Sequence, residues 1–245
     1  MLICDWLSPY GLMYLAGTLL LFTLLCLKLK LKFADALFYT VFIALFTIAG
    51  GRIGYALFYE RAYFARHLSE LIELYKGGMS FHGALIGYIL ALLLIVKEPS
   101  LRLRLLDLSA VTALILLPIG RIMNYLGAEI YGTPAPEGMP FASIYPALDL
   151  KLRHAVTLYE AAGYLILVLP LLSLLKKRGY LPCAGAFACA FAICQGILRF
   201  AVDFWREPDL SVGLILNSLG LGQILALIQV IAAAFLFWHL RKTCP

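Results

Sequence analysis

"LSAVTALILLPIGRIMNYLGAEIYG", residues 108–132, changes character halfway. The first twelve residues hold no charge and read as bilayer filler, while the last thirteen bring in Arg121, Asn124 and Glu129. A hydrocarbon core of about 30 Å requires about 20 apolar residues in a helix. With no water to satisfy backbone groups inside the bilayer, such a run must be helical. A charged side chain at the centre of a spanning helix costs about 2.5 to 3.5 kcal/mol on the insertion scale, so polar residues closing an apolar run need a reason.

The rest of the chain supports the membrane reading. Of 245 residues, 63% are apolar and only 14% charged, against about 25% charged in an ordinary soluble domain. The mean hydropathy is +0.92. The formal charge of +6 is dispersed among apolar segments and forms no basic stripe with interleaved aromatics, so no nucleic-acid partner is expected. Six cysteines (Cys4, Cys26, Cys183, Cys189, Cys194 and Cys244) form no C-x-x-C pair and read as small buried hydrophobes. "LLC" at 24–26 has no basic region before it, and a cleaved signal peptide is not expected.

Seven candidate spans follow: Tyr10 to Leu27, Ala34 to Leu57, Phe81 to Val96, Leu105 to Leu126, Ala155 to Leu175, Cys183 to Phe204, and Leu214 to Leu240. The connections "KLKLK", "KEPSLRLR" and "KKRG" and the tail "RKTCP" hold eleven of the 20 basic residues and one acid, Glu98. The positive-inside rule makes them cytoplasmic. The expected fold is an all-α integral membrane protein of seven transmembrane helices, N-terminus out and C-terminus in. It forms a single polytopic domain over 1–245, with a small external subdomain at approximately 127–154, where "GTPAPEGMP" is rich in turn residues.

On that topology the intramembrane polar groups share the outer side: Arg52, His82, Arg121 with Asn124, Arg153 with His154, and Arg199, Asp203 and Arg206. Arg121 and Asn124 are three apart, and Arg199 and Asp203 four apart, so each set presents one helical face. Arg199 with Asp203, and Arg121 with Glu129, also read as structural ion pairs. The gathering of guanidinium groups favours an anionic partner held by bidentate contacts, and at that depth the available anion is a lipid phosphate. The residues by themselves describe a protein that binds or transforms an anionic phospholipid on the outer face. A transporter would carry polar groups through to the inner half, whereas "ALLLIV" (91–96) and "LILVLPLL" (165–172) are almost featureless and Asp107 is the chief exception. The glycines of "AGGRIGY" and "GGMSFHGALIG" suit close helix packing.

Seven segments in order resemble the prolipoprotein diacylglyceryl transferase family of bacterial inner-membrane enzymes: "YGLMYLAG" (10–17), "GGRIGYALFY" (50–59), "GGMSFHGALIG" (77–87), "GRIMNYLGAEIYG" (120–132), "RHAVTLYEA" (153–161), "LRFAVDFWREPD" (198–209) and "LGLGQIL" (219–225). The resemblance implies transfer of the diacylglyceryl group of phosphatidylglycerol to the lipobox cysteine thiol of preprolipoproteins, with release of glycerol phosphate and without metal or nucleotide cofactor. Its implied partners are phosphatidylglycerol, lipobox-containing signal peptides and membrane lipid. Its implied location is the bacterial inner membrane, multi-pass, with the active site facing the outer leaflet. By motif it implies catalytic roles for His82, Arg121, Glu129 and Arg199. It implies phosphatidylglycerol contacts from Tyr10, Arg121, Asn124, Gly132, Arg199 and Asp203. His82 is the expected base for the thiol proton. The chain departs from the family pattern at Ala84, Met123, Gly127, Gln195 and Asp203. The alternative is a divergent or inactive member that binds anionic phospholipid or uses another acceptor.

Overall fold

The computed structural model describes residues 9–146, 148–208, 213–215 and 218–244. Cys4 and the Asp209 that ends the sixth-span motif lie outside them. The chain is mostly helical, and six helices are long and apolar enough to cross a membrane. These are α1 (Pro9–Lys28), α2 (Phe33–Phe58), α5 (Pro99–Leu126), the composite of α6 (Val156–Gly163) and α7 (Leu169–Lys177), α8 (Ala186–Val202) and α9 (Leu221–Thr243). The third expected span is α4 (Phe81–Ile95), apolar but only 15 residues long, or about 22 Å. Short α3 (Arg61–Phe64) lies in the connection from α2 to α4. The chain divides into two compact units, residues 1–108 and 109–245, with α5 running through the boundary.

In the first unit α2 and α4 pack backbone to backbone. A Cβ on Gly54 would lie 2.6 Å from the Cα of Gly83, and one on Gly50 would lie 2.5 Å from the Gly83 carbonyl oxygen. The glycine stripes read from the sequence are therefore a helix contact that tolerates no side chain. Leu21, Leu25, Ile43, Leu92 and Leu105 form the core of this unit.

In the second unit Leu114, Tyr164, Val168, Leu172 and Phe191 form the core. Between α6 and α7 the helix widens into a π turn at Tyr164–Val168, one turn after Glu160. Two small antiparallel ladders lie outside the helices. Strand β1 (Ser143–Ile144) pairs with β2 (Leu152–Arg153), and β3 (Leu214–Ile215) with β4 (Leu219–Gly220). The last span starts later than its apolar run: Leu214 to Gly220 contribute β3 and β4, and α9 opens where the Gly220 amide donates to Gln223 Oε1 at 2.9 Å.

Two cysteines correct the expectation that all are unpaired hydrophobes. Cys183, ahead of α8, and Cys244, just past α9, form a disulfide 61 residues apart in sequence. Apolar surroundings hid them because spacing alone does not reveal which chain ends meet.

Candidate functional site

Several polar side chains of the second unit assemble around one carboxylate. Glu160, on α6, is 3% exposed and ionised groups so placed require partners. Its Oε2 pairs with Arg121 Nε from the last turns of α5, and its Oε1 accepts from Arg199 Nη1 of α8 at 2.5 Å. One carboxylate thus spans two guanidinium groups from two different helices. Arg199 Nη2 lies 3.3 Å from Asp203 Oδ1, and Arg206 Nη1 lies 3.8 Å from the same oxygen. Helical spacing places Asp203 beside Arg199, four residues on at the end of α8, while Arg206 follows the turn Asp203–Trp205 in extended backbone and reaches back to the same oxygen.

On the other side of Glu160 the network continues through an amide. Arg121 Nη1 donates to Asn124 Oδ1 at 3.2 Å, and Asn124 Nδ2 donates to Glu129 Oε2 at 3.0 Å. The turn that returns Glu129 is unusual, because Ala128 and Ile130 both hold φ near +55°, in the left-handed region. A β-branched residue there is a conformational outlier. Such strain persists where surroundings enforce it and is frequent at functional sites. The backbone amide of Glu129 donates to the Asn124 carbonyl at 2.9 Å, closing the turn.

Arg121, Asn124, Glu129, Arg199 and Asp203 are therefore brought together, and the expected pairing is redistributed. Arg199 meets Asp203 as the spacing foretold, whereas Arg121 is linked to Glu129 through Asn124 and pairs with the Glu160 carboxylate. Gly222, in the first turn of α9, explains part of the "LGLGQIL" motif: a Cβ there would lie 2.5 Å from Asp203 Oδ2. Among the departures, Gln195 is buried and accepts from Gln229 Nε2 at 2.5 Å, tying α8 to α9. A Cβ on Gly127 would fall 3.3 Å from Glu129 Oε1, crowding the strained turn.

Gly132 sits where backbones cross. Its amide donates to the His154 carbonyl at 2.9 Å, and a Cβ would lie 2.6 Å from the Trp205 carbonyl oxygen. Arg153 locks this crossing. It donates to the Gly132 carbonyl at 2.9 Å, to Glu207 Oε2 at 2.9 Å and, through Nε and Nη2, to both Asp149 oxygens at 3.1 and 2.7 Å. The guanidinium holds the Asp149 carboxyl below its ordinary range. Next to it, burial pushes the His154 imidazole below its ordinary value, and its Nδ1 lies 3.1 Å from Tyr159 Oη.

Tyr10 and His82 belong to the first unit. Tyr10 is in the first turn of α1 and is half-buried. His82 is buried in the first turn of α4, behind the Ser80 N-cap, whose Oγ accepts from the Gly83 amide, and its ring meets Phe81 edge-on at 5.3 Å. Arg52, also in this unit, donates to backbone carbonyls of Glu70, Leu71, Glu73, Gly77 and Gly78. Arg52 and Arg153, read from the sequence as part of one cationic gathering, are thus engaged with the connections between helices. The reading missed Glu160, although an isolated acid inside an apolar helix was the available signal.

A model of the family described as prolipoprotein diacylglyceryl transferase matches residues 6–239. Proteins named phosphatidylglycerol–prolipoprotein diacylglyceryl transferase are similar to most of the chain. The one from Methylobacillus flagellatus is 37% identical over 241 residues, covering 93% of this chain and 89% of that protein. The one from Methylibium petroleiphilum is 38% identical over 208 residues, covering 83% and 76%. The one from Nitrobacter winogradskyi is 35% identical over 194 residues, covering 79% and 67%.

Proposed function

The chain belongs to the prolipoprotein diacylglyceryl transferase family, and from that premise we propose that it transfers the diacylglyceryl group of phosphatidylglycerol to the lipobox cysteine thiol of preprolipoproteins. The thiol sulfur attacks the glyceryl carbon, the carbon–oxygen bond to phosphate breaks, and glycerol phosphate leaves. The products are a thioether and a phosphate monoester, and the thiol proton passes to a base.

The observation that carries this reading is the pairing of Arg121 and Arg199 on the two oxygens of buried Glu160. Phosphate leaves readily only when its growing charge is stabilised, and preorganised guanidinium groups in a water-poor site supply that stabilisation. Glu160 holds two like charges side by side before any substrate arrives. Arg121 and Arg199 then act on the phosphate, with Asn124, Asp203 and Gly132 orienting them or the head group. Glu129 polarises the site from the strained turn. His82 accepts the thiol proton, and Tyr10 completes the lipid contacts.

The same reading supplies the setting. The protein is one polytopic domain of seven spans in the bacterial inner membrane, α4 being the seventh, with the N-terminus out and the C-terminus in. Residues 127–154, with the β1–β2 ladder, form a small external subdomain, and the site faces the outer leaflet. The partners are phosphatidylglycerol and lipobox signal peptides. The test is complementation: a bacterial strain depleted of its own transferase regains growth and diacylglyceryl-modified lipoproteins when this chain is expressed. Failure of a folded, membrane-inserted protein to restore modification would reject the proposal.

A further inference from the structure

The connection from α2 to α4 has features that a solvent-exposed loop does not need. Helix α2 begins at Phe33, directly after basic residues. At 1.5 Å per residue, a hydrocarbon core of about 30 Å measured from there ends about 20 residues on, close to Gly51–Tyr55. The connection does not rise away from that level. The Ser80 amide donates to the Gly51 carbonyl at 2.9 Å, and a Cβ on Gly78 would lie 2.5 Å from the Tyr55 ring. Arg52, whose guanidinium lies 5.1 Å from the centre of the Phe64 ring, gathers five carbonyls between Glu70 and Gly78. The segment therefore folds back against the last turns of α2.

Irregular backbone at that depth lacks ready water, so its carbonyls need protein donors. Arg52, itself buried, supplies them. The side chains complete the pattern. Leu68 is 68% exposed, Ile72 84% and Tyr75 74%, spaced four and three apart. The acids are turned to tyrosines of the same segment: Tyr63 Oη donates to Glu70 at 2.9 Å and Tyr75 Oη to Glu73 at 3.1 Å. Arg61 and Arg66 stand exposed beside them. Apolar side chains, tyrosines with bonded hydroxyls and guanidinium groups are the composition of a segment lying in the membrane interface, where rings sit at head-group level and cations meet phosphates.

We propose that residues 61–79 form a lipid-binding interfacial element, in which Leu68, Ile72 and Tyr75 insert at the glycerol–acyl boundary of the leaflet that α2 reaches last, and Arg52 substitutes for water on the inserted backbone. The inference needs only that α2 and α4 cross the bilayer, and it is independent of the reaction.

Spin-label accessibility tests it. Ile72→Cys and, separately, Leu68→Cys are labelled in the full-length protein with Cys4, Cys26, Cys189 and Cys194 replaced by serine, in nanodiscs of phosphatidylethanolamine and phosphatidylglycerol. A label at exposed Glu137→Cys gives the aqueous reference. Labels at 68 and 72 are expected to collide with dissolved oxygen several-fold more than with a water-soluble nickel chelate, the reverse of the reference. Nickel accessibility equal to the reference at both sites would overturn the proposal, because the segment would then project into water. Shielding from both relaxants at both sites would overturn it as well, because a protein partner or a second copy would then cover the surface. A fold check by thermal melting accompanies each labelled variant, and a site that melts abnormally is replaced by Tyr75→Cys.

Discussion

Glu160 Oε1 and Arg199 Nη1 are 2.5 Å apart, and the other oxygen of the same carboxylate is taken by Arg121, so two helices present their cations through a third helix's acid. Removing the acid leaves two guanidinium groups facing each other at low dielectric. Glu160→Ala is expected to destabilise the fold by about 3 to 5 kcal/mol, the range for breaking a buried pair, read as a fall in the melting temperature in detergent. Glu160→Gln keeps the shape and one acceptor but loses the charge. It should melt between the two and be strongly impaired in transfer, and wild-type transfer by Glu160→Gln would show that the two arginines need no anionic bridge.

Arg121→Ala and Arg199→Ala should each lower the transfer rate by about 10²-fold or more, the magnitude for losing one preorganised donor to a developing anion. The lysine variants should recover little, because an ammonium lacks the planar fork that meets a carboxylate and a phosphate together. Recovery to near wild-type rates by both lysine variants would reduce the arginines to simple positive charge.

Gly222→Ala and Gly54→Ala separate site geometry from packing. A methyl group at 222 would meet the Asp203 carboxylate and turn it from Arg199, so transfer should fall about tenfold with little loss of stability. A methyl group at 54 would meet the backbone of Gly83, so stability should fall by about 1 to 3 kcal/mol. Melting temperature and initial rate measured on both proteins distinguish the two effects.

The Arg153 clasp carries a pH signature. Because the Asp149 carboxyl is held below its ordinary value of 3.8, its contribution is fully present above that value. It disappears as pH falls through the lower, folded value. Limited proteolysis of the 133–152 stretch should stay constant from neutral pH to about 5 and accelerate only in strong acid. Arg153→Ala should make the stretch labile at neutral pH, and unchanged cleavage in that variant would reject the clasp.

How much of this was legible in the sequence depended on the kind of signal. Six helices stand out as long and apolar enough to cross a membrane, because a bilayer imposes both length and hydropathy. Helix α4 ended one residue earlier than its apolar run, and α9 opened seven residues later, because Leu214 and Leu219 are as apolar in a two-stranded ladder as in a span. At the site, Arg199 and Asp203 were visible as neighbours through helical spacing. Glu160 was passed over because its partners come from α5 and α8, and contact between separate helices leaves no periodic trace. Arg52 and Arg153 looked alike as interfacial cations, and only their acceptors, backbone carbonyls for one and Asp149 and Glu207 for the other, show what each holds.

The central claim is tested most directly with purified protein in phosphatidylglycerol vesicles, a lipobox peptide, and mass spectrometry of the peptide alongside assay of glycerol phosphate. The account predicts a diacylglyceryl thioether on the cysteine with glycerol phosphate in equal amount, both lost in Arg199→Ala. A folded wild-type protein that produces neither, or an Arg199→Ala protein that produces both at the wild-type rate, would contradict it.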